Sequence, residues 1–405
     1  MRYLASEIKR LLLEESKMAF IAGPRQVGKT TLAKSLLPAS PGGYFNWDVQ
    51  EDQKRVLRDP SHFWNRAPLG ENKKPRLVLD EIHKYPRWKR FLKGHVDQNR
   101  ELTETIVTGS GRLDVFQRGG DSLFGRYGLY RLHPFTLGEM ANSSGSPVGD
   151  PEDSLLNVVQ NPPARTVDSL LEKLDRWTGF PEPLFGENDR RLQRWRRDHR
   201  RLVIREDLRD LTQIREIGLV ENLILLLPER VGSPLSINAL SGELRVTFPT
   251  VSNWLSALAR LYYLFEIRPF SGTMARTLRR EGKIYMFDFG DVPSPGSRFE
   301  NCVALHLLKA VDAWNDWGYG DFALHYVRDK EHREVDFLVT QSRRPFLMVE
   351  CKLTDTRLAP PLLYFRDAMK PKWSFQVVRQ TPADYLTDYG KQTYVVSAAR
   401  FLSNF

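Results

Sequence analysis

The hydrophobic pattern opens with Tyr3, Leu4, Ile8, Leu11 and Leu12 at helical spacing, which predicts an amphipathic helix at the start of the chain. Short apolar runs then alternate with polar stretches. Ala19, Phe20 and Ile21 predict a strand, as do Tyr44–Asp48, Leu77–Leu79 and the β-branched run Glu104–Ser110. Gln50–Arg58 reads as a charged helix, and a further helix after Pro86 buries Leu92 and Val96. The stretch 141–164 is rich in Ser, Pro, Gly and Asn and reads as a mobile connection. Beyond it, Leu235–Leu240 and Pro249–Leu258 have the periodicity of a helix–turn–helix, with Ser236 as a cap and Val251, Leu255 and Leu258 on one face. Tyr262–Pro269 and Lys283–Asp288 read as the two strands of a wing behind it. Phe299–Asn301 falls on a helix, and Arg333–Thr340 and Pro345–Lys352 are adjacent strands. The pattern divides the 405 residues into an α/β segment at 1–140, a connection at 141–164, a helical connector at 165–228, a winged-helix-like domain at 229–290 and an α/β domain at 291–405.

The first strand runs into Gly23, Pro24, Arg25, Gln26, Val27, Gly28, Lys29 and Thr30, which fit G-x-x-x-x-G-K-[ST], and a helix begins at Thr31. Glycines let such a loop wrap phosphate oxygens, and successive backbone N–H groups face the anion. Lys29 then reaches the β- and γ-phosphates of ATP, and the Thr30 hydroxyl meets Mg²⁺. Leu77–Leu79 delivers Asp80 and Glu81 to the C-terminal end of a buried strand, where ligands of parallel sheets bind. Asp80 there is a magnesium group, and Glu81 orients and deprotonates the attacking water. Thr108 or Ser110, at the tip of the following strand, lies beside the γ-phosphate. Arg126, with Arg131 as its competitor, is the candidate for an arginine acting on a neighbouring subunit's nucleotide.

Composition narrows the partners. The formal net charge is +10, which favours an anionic ligand, nucleic acid first. Arg190, Arg191, Arg194, Arg196, Arg197, Arg200 and Arg201 crowd around Trp195 and read as spread over most of a helix circumference. Lys84, Arg87, Arg194, Arg197, Arg276, Arg279 and Arg280 are the expected DNA contacts. No run approaches the roughly 20 apolar residues of a membrane helix. The first residues do not read as a signal peptide, and two cysteines without metal-ligand spacing fit a reducing cytoplasm.

The segments GPRQVGKTT, LVLDEIHKYPRW, TGSGR and SLFGRYGLYRLHPFTLGEM, in that order, resemble the AAA+ ATPases that carry a C-terminal DUF4143 domain. The resemblance implies an ASCE-type P-loop core, ATP with Mg²⁺ and a homo-oligomer, a hexameric ring among the forms. In the last third, Asp336, Glu350 and Lys352 resemble the restriction-endonuclease-like PD-(D/E)xK core, with Glu300 as the acid on its first helix. That resemblance implies a metal held by carboxylates beside a lysine. The expected function is an ATP-hydrolysing motor or remodeller of DNA. Two alternatives stand beside it: an ATP-dependent, metal-requiring DNA nuclease of a defence system, and an ATP-binding switch with a protein partner.

Overall fold

A computed structural model of the chain describes residues 2–38, 43–109, 123–142, 149–208, 216–271 and 281–405. Its contacts divide it into two compact units, Met1–His133 with Arg260–Tyr262, and Pro134–Ala259 with Tyr263–Phe405.

The first unit is built on a five-stranded sheet of order β2-β3-β4-β1-β5, parallel throughout. Its strands are β1 (Met18–Ala22), β2 (Tyr44–Asn46), β3 (Arg76–Asp80), β4 (Glu104–Thr108) and β5 (Tyr127–Arg131). Every residue of β1, β3 and β4 is buried, as expected of parallel strands covered on both faces. The helices are α1 (Ala5–Arg10), α2 (Lys29–Ser35), α3 (Gln50–Arg58) and α4 (Trp88–Asn99). One core joins Phe20, Phe45, Leu79, Trp88, Leu92 and Val107. Trp88 is therefore a packing residue, and its ring is not presented for stacking on a base. β4 lies between β1 and β3, so the loop after β1 and the acids after β3 open at the same sheet edge, with the tip of β4 between them.

The second unit holds an eight-stranded mixed sheet of order β12-β13-β11-β10-β9-β8-β6-β7. Before its strands come α5 (Leu137–Ala141), α6 (Pro151–Gln160), α7 (Val167–Trp177), α8 (Pro181–Gly186), α9 (Asp189–Leu202), α10 (Ile217–Leu226), α11 (Ile237–Leu244) and α12 (Phe248–Arg260). The strands are β6 (Leu264–Pro269), β7 (Lys283–Met286), β8 (Phe322–Arg328), β9 (Glu334–Gln341), β10 (Arg344–Lys352), β11 (Trp373–Val378), β12 (Leu386–Asp388) and β13 (Thr393–Ser397). α13 (Pro295–Asp316), α14 (Pro360–Met369) and α15 (Ala398–Leu402) complete it.

Three expectations change here. The stretch 141–164 is not a bare connection. Asp150 accepts from the N–H groups of Glu152 and Asp153, Pro151 sits in the first turn, and α6 buries Leu155 and Val158. The Asp-Pro-Glu-Asp start of that helix was the signal, hidden in a turn-rich composition. Where the helix–turn–helix was expected, α11 and α12 follow one another, with Ser236 accepting from Ala239 N–H and Val251, Trp254, Leu255 and Leu258 buried on α12. Its expected wing, however, is part of the large sheet. β6 and β7 form an antiparallel hairpin, but Arg268 and Pro269 of β6 pair with His325 and Tyr326 of β8. An edge strand leaves a row of N–H and C=O groups to satisfy, and β8 satisfies part of that row. The connector, helix–turn–helix and C-terminal segments thus lie together in one unit. Among the described residues no helix is long and apolar enough to cross a membrane.

Candidate functional site

At the edge of the first unit's sheet, the chain leaves β1 at Ala22 and turns sharply. Gly23 has φ +144°, and a Cβ on it would stand 2.3 Å from the Leu132 carbonyl oxygen. Gly28 takes φ +99° immediately before α2 begins at Lys29. Both positions demand glycine, one for space and both for backbone angle. Within the loop Pro24 and Val27 are buried, while Gln26, and Thr31 in the first turn of α2, are exposed. Arg25 is half-buried. Arg2 donates to the Val27 carbonyl at 2.9 Å and so anchors the loop's far side. Lys29 is buried, and its ammonium donates to the carbonyls of Gly23 (3.0 Å) and Pro24 (2.7 Å). The loop thus closes around its own lysine, at a helix start whose N–H groups are those an anion would meet.

Asp80 ends β3 beside this loop. Its Oδ2 accepts from the Thr30 hydroxyl at 2.8 Å and the Tyr44 hydroxyl at 2.7 Å, and its Oδ1 from the Thr108 hydroxyl. Glu81 follows with φ +57°, unusual for a residue with a side chain, and its N–H donates to the Thr108 carbonyl at 3.0 Å. Burial pushes the Glu81 carboxyl above its ordinary pKa, and the charges of Lys84 and Lys29 oppose that rise. The Lys84 ammonium lies 3.6 Å from Glu81 and 2.6 Å from Asp48. The His83 ring nitrogen Nε2 is 3.5 Å from Glu81. Lys29, Thr30, Asp80, Glu81 and Thr108 are therefore brought together; Tyr44 joins them without a motif to announce it. The donor set fits a triphosphate with magnesium: N–H groups and an ammonium for phosphate, a hydroxyl and a carboxylate side by side for a hard cation.

Arg126 makes a two-point contact with Asp97 of α4, Nε to Oδ1 at 2.6 Å and Nη2 to Oδ2 at 3.1 Å. The neighbouring Phe124 is 85% exposed. Arg131 ends β5, and its carbonyl accepts from the Tyr3 hydroxyl. Arg87 is exposed at the start of α4, and Lys84 is engaged as described. Ser110, Arg276, Arg279 and Arg280 lie outside the described residues.

In the second unit the C-terminal quartet does converge, but around lysines. Asp336 of β9 accepts from the Cys351 N–H of β10 at 2.8 Å. Glu350 takes the Lys352 ammonium at 2.6 Å through Oε1, while its buried Oε2 has no hydrogen-bond partner among the described residues. Glu300 of α13 accepts from the Tyr285 hydroxyl at 2.7 Å and lies 3.3 Å from the ammonium of Lys283. That lysine is itself buried and 2.6 Å from Glu334. Burial pushes Glu300 and Glu350 up to about 7, with the charge of Asp336 adding to both. Among the described residues no three Asp, Glu, His or Cys side chains are placed to share a metal ion. Lys283 on β7 thus adds a second, buried positive charge to the one that Lys352 brings to these acids. Lys283, Tyr285 and Glu334 were missed. The alternation of Lys283 and Tyr285 on one strand face was the available signal.

The arginine-rich helix α9 also resolves differently. Leu192, Trp195, Arg196 and His199 form its buried face, and Arg196 is drawn inward by Asp288 at 2.9 Å. Arg190, Arg194, Arg197 and Arg201 are all exposed and recur at intervals of four, three and four residues. They form one stripe rather than a full collar, with Arg191 beside it and Arg200 half-buried. At 1.5 Å per residue the stripe runs about 16 Å.

Comparison with known proteins gives three family matches along the chain. Residues 15–141 match an AAA domain, residues 169–292 a domain of unknown function (DUF8612), and residues 295–399 a domain of unknown function (DUF4143). Uncharacterized proteins of Mycobacterium bovis and Mycobacterium tuberculosis are each 24% identical over 370 residues, covering 88% of this chain and 74% of theirs. Among solved structures, the Aeropyrum pernix ORC1 protein in complex with DNA is similar at 18% identity, over 75% of this chain and 92% of that one, with a TM-score of 0.29.

Proposed function

We propose that this chain, which carries an AAA domain at its N-terminus and a DUF4143 domain at its C-terminus, hydrolyses ATP in its first unit and couples that reaction to DNA held by its second. The observation that carries the reading is the convergence of Lys29, Thr30, Asp80 and Glu81 at one edge of a parallel sheet. In this reading the loop N–H groups and Lys29 bind the phosphates. Thr30 and Asp80 hold magnesium, which when bound neutralises phosphate charge. Glu81, ionised, orients the attacking water and takes its proton. Thr108 keeps Asp80 in place.

The DNA part is supported by the arginine stripe on α9 and by the net charge of +10. Assembly into a ring of copies belongs to the same reading, with Arg126 or Arg131 reaching a neighbour's nucleotide; Arg126 first has to leave Asp97. The test is the steady-state rate of phosphate release with and without single-stranded, duplex and branched DNA. Lys29→Ala is expected to abolish nucleotide binding. Glu81→Gln is expected to bind ATP while losing at least about a hundredfold in rate, the scale of a general-base contribution. Stimulation by DNA supports coupling. A DNA-indifferent rate favours the protein-partner switch instead, and absence of ATP binding by the unaltered protein ends the proposal.

A further inference from the structure

Asp80 has a partner that the phosphate-loop motif does not name. We propose that Tyr44 is a positioning residue for Asp80, its hydroxyl completing with those of Thr30 and Thr108 a three-point clamp that aims the carboxylate for magnesium-dependent nucleotide binding. The inference rests on the reading of this site as an ATP site.

The geometry is specific. Tyr44 is the first residue of β2, the edge strand, and pairs in register with Val78, two residues before Asp80. From there its hydroxyl reaches Asp80 Oδ2 at 2.7 Å, the same oxygen that Thr30 meets at 2.8 Å. Thr108, on the other neighbouring strand, holds Oδ1. Asp80 is thus gripped from α2, β2 and β4, the three elements that surround its own strand end. Two donors on one oxygen and one on the other fix the plane of the carboxylate as well as its position. The tyrosine is itself held, because the Lys34 ammonium lies 3.9 Å from its ring centroid. Thr30 has a second duty toward a cation, and Thr108 sits on the far oxygen. The Tyr44 hydroxyl, among the described residues, donates to Oδ2 alone.

The experiment uses the full chain and equilibrium titration with a fluorescent ATP analogue, once with Mg²⁺ and once with EDTA. Tyr44→Phe keeps the ring and its contact with Lys34 and removes only the hydroxyl. It is expected to weaken binding roughly tenfold with Mg²⁺, the scale of one hydrogen bond to a charged group. In EDTA its affinity is expected to match the unaltered protein, and its melting temperature without nucleotide to stay close to normal. Asp80→Asn is expected to show the same magnesium-specific loss, and adding Tyr44→Phe to it to cost nothing further. Equal weakening in Mg²⁺ and EDTA, no weakening in either, tighter binding with Mg²⁺, or additive losses in the double variant would each overturn the clamp. If the unaltered protein binds the analogue in neither condition, the ATP site itself is refuted. If it binds normally and Tyr44→Phe is indifferent, only the role of Tyr44 is refuted.

Discussion

Glu81 combines two unusual features: a left-handed backbone and a carboxyl whose pKa burial raises. The charge that most opposes that rise is Lys84, 3.6 Å away, which favours the ionised form. Removing that charge leaves burial less opposed, so the Glu81 pKa rises further. A base must be ionised to act, so the acid limb of kcat/KM moves to higher pH in Lys84→Met, while rates well above that limb stay close to normal. Lys84→Arg keeps the charge and is expected to keep the limb in place. A pH–rate profile of the three proteins decides it, and an unmoved limb in Lys84→Met removes Glu81 from the role of base. At this scale the motif residues were legible because they are neighbours in sequence: Gly23, Gly28, Lys29 and Thr30 sit in one loop, and Asp80 and Glu81 end one strand. Tyr44 and Lys283 were not. Each reaches partners on other elements, far away in sequence, so only the folded sheet brings them in.

Between elements, the same register buries a charge pair in the middle of the first unit. Arg76 opens β3 and Glu104 opens β4, and parallel pairing sets them opposite each other. Their side chains meet at 2.6 Å with 3% and 1% exposure, and Arg76 also donates to the Leu36 carbonyl at 2.8 Å. In the sequence both look like the polar flanks of apolar runs. Arg76→Met strands Glu104 without a partner in the core, which costs about 3–5 kcal/mol. Urea denaturation is expected to show that loss, and Glu104→Leu added to Arg76→Met to recover most of it. Helix phase was hidden in a similar way. Seven arginines in α9 mask the buried spacing of Leu192, Trp195 and His199, so a stripe reads as a collar. The hairpin after α12 was legible as two strands, but its continuation by β8 depends on residues some sixty positions later, which local pattern does not reach.

Over the whole molecule the question is whether positive charge acts as a diffuse field or as a built track. A net charge of +10 attracts any polyanion, and a diffuse attraction depends little on which cations carry it. A track depends on where they are. Arg190, Arg191, Arg194 and Arg201 form no ion pair among the described residues, and Arg197 has only its sequence neighbour Asp198, at 3.6 Å. Replacing Arg190, Arg194, Arg197 and Arg201 together by glutamine lowers the net charge from +10 to +6, since 10 − 4 = 6. Replacing Arg343, Arg344, Lys370 and Lys391 by glutamine lowers it by the same amount, at exposed positions on other elements of the same unit. Each phosphate contact contributes about 0.9 to the slope of log K against log salt on duplex DNA. The first variant is therefore expected to flatten that slope by up to roughly 3–4, and the second to leave it nearly unchanged. Fluorescence anisotropy with labelled duplex DNA across a salt series measures both. If the two variants flatten the slope equally, the charge acts as a field and the stripe has no special part. If only the first does, α9 is the surface that holds DNA.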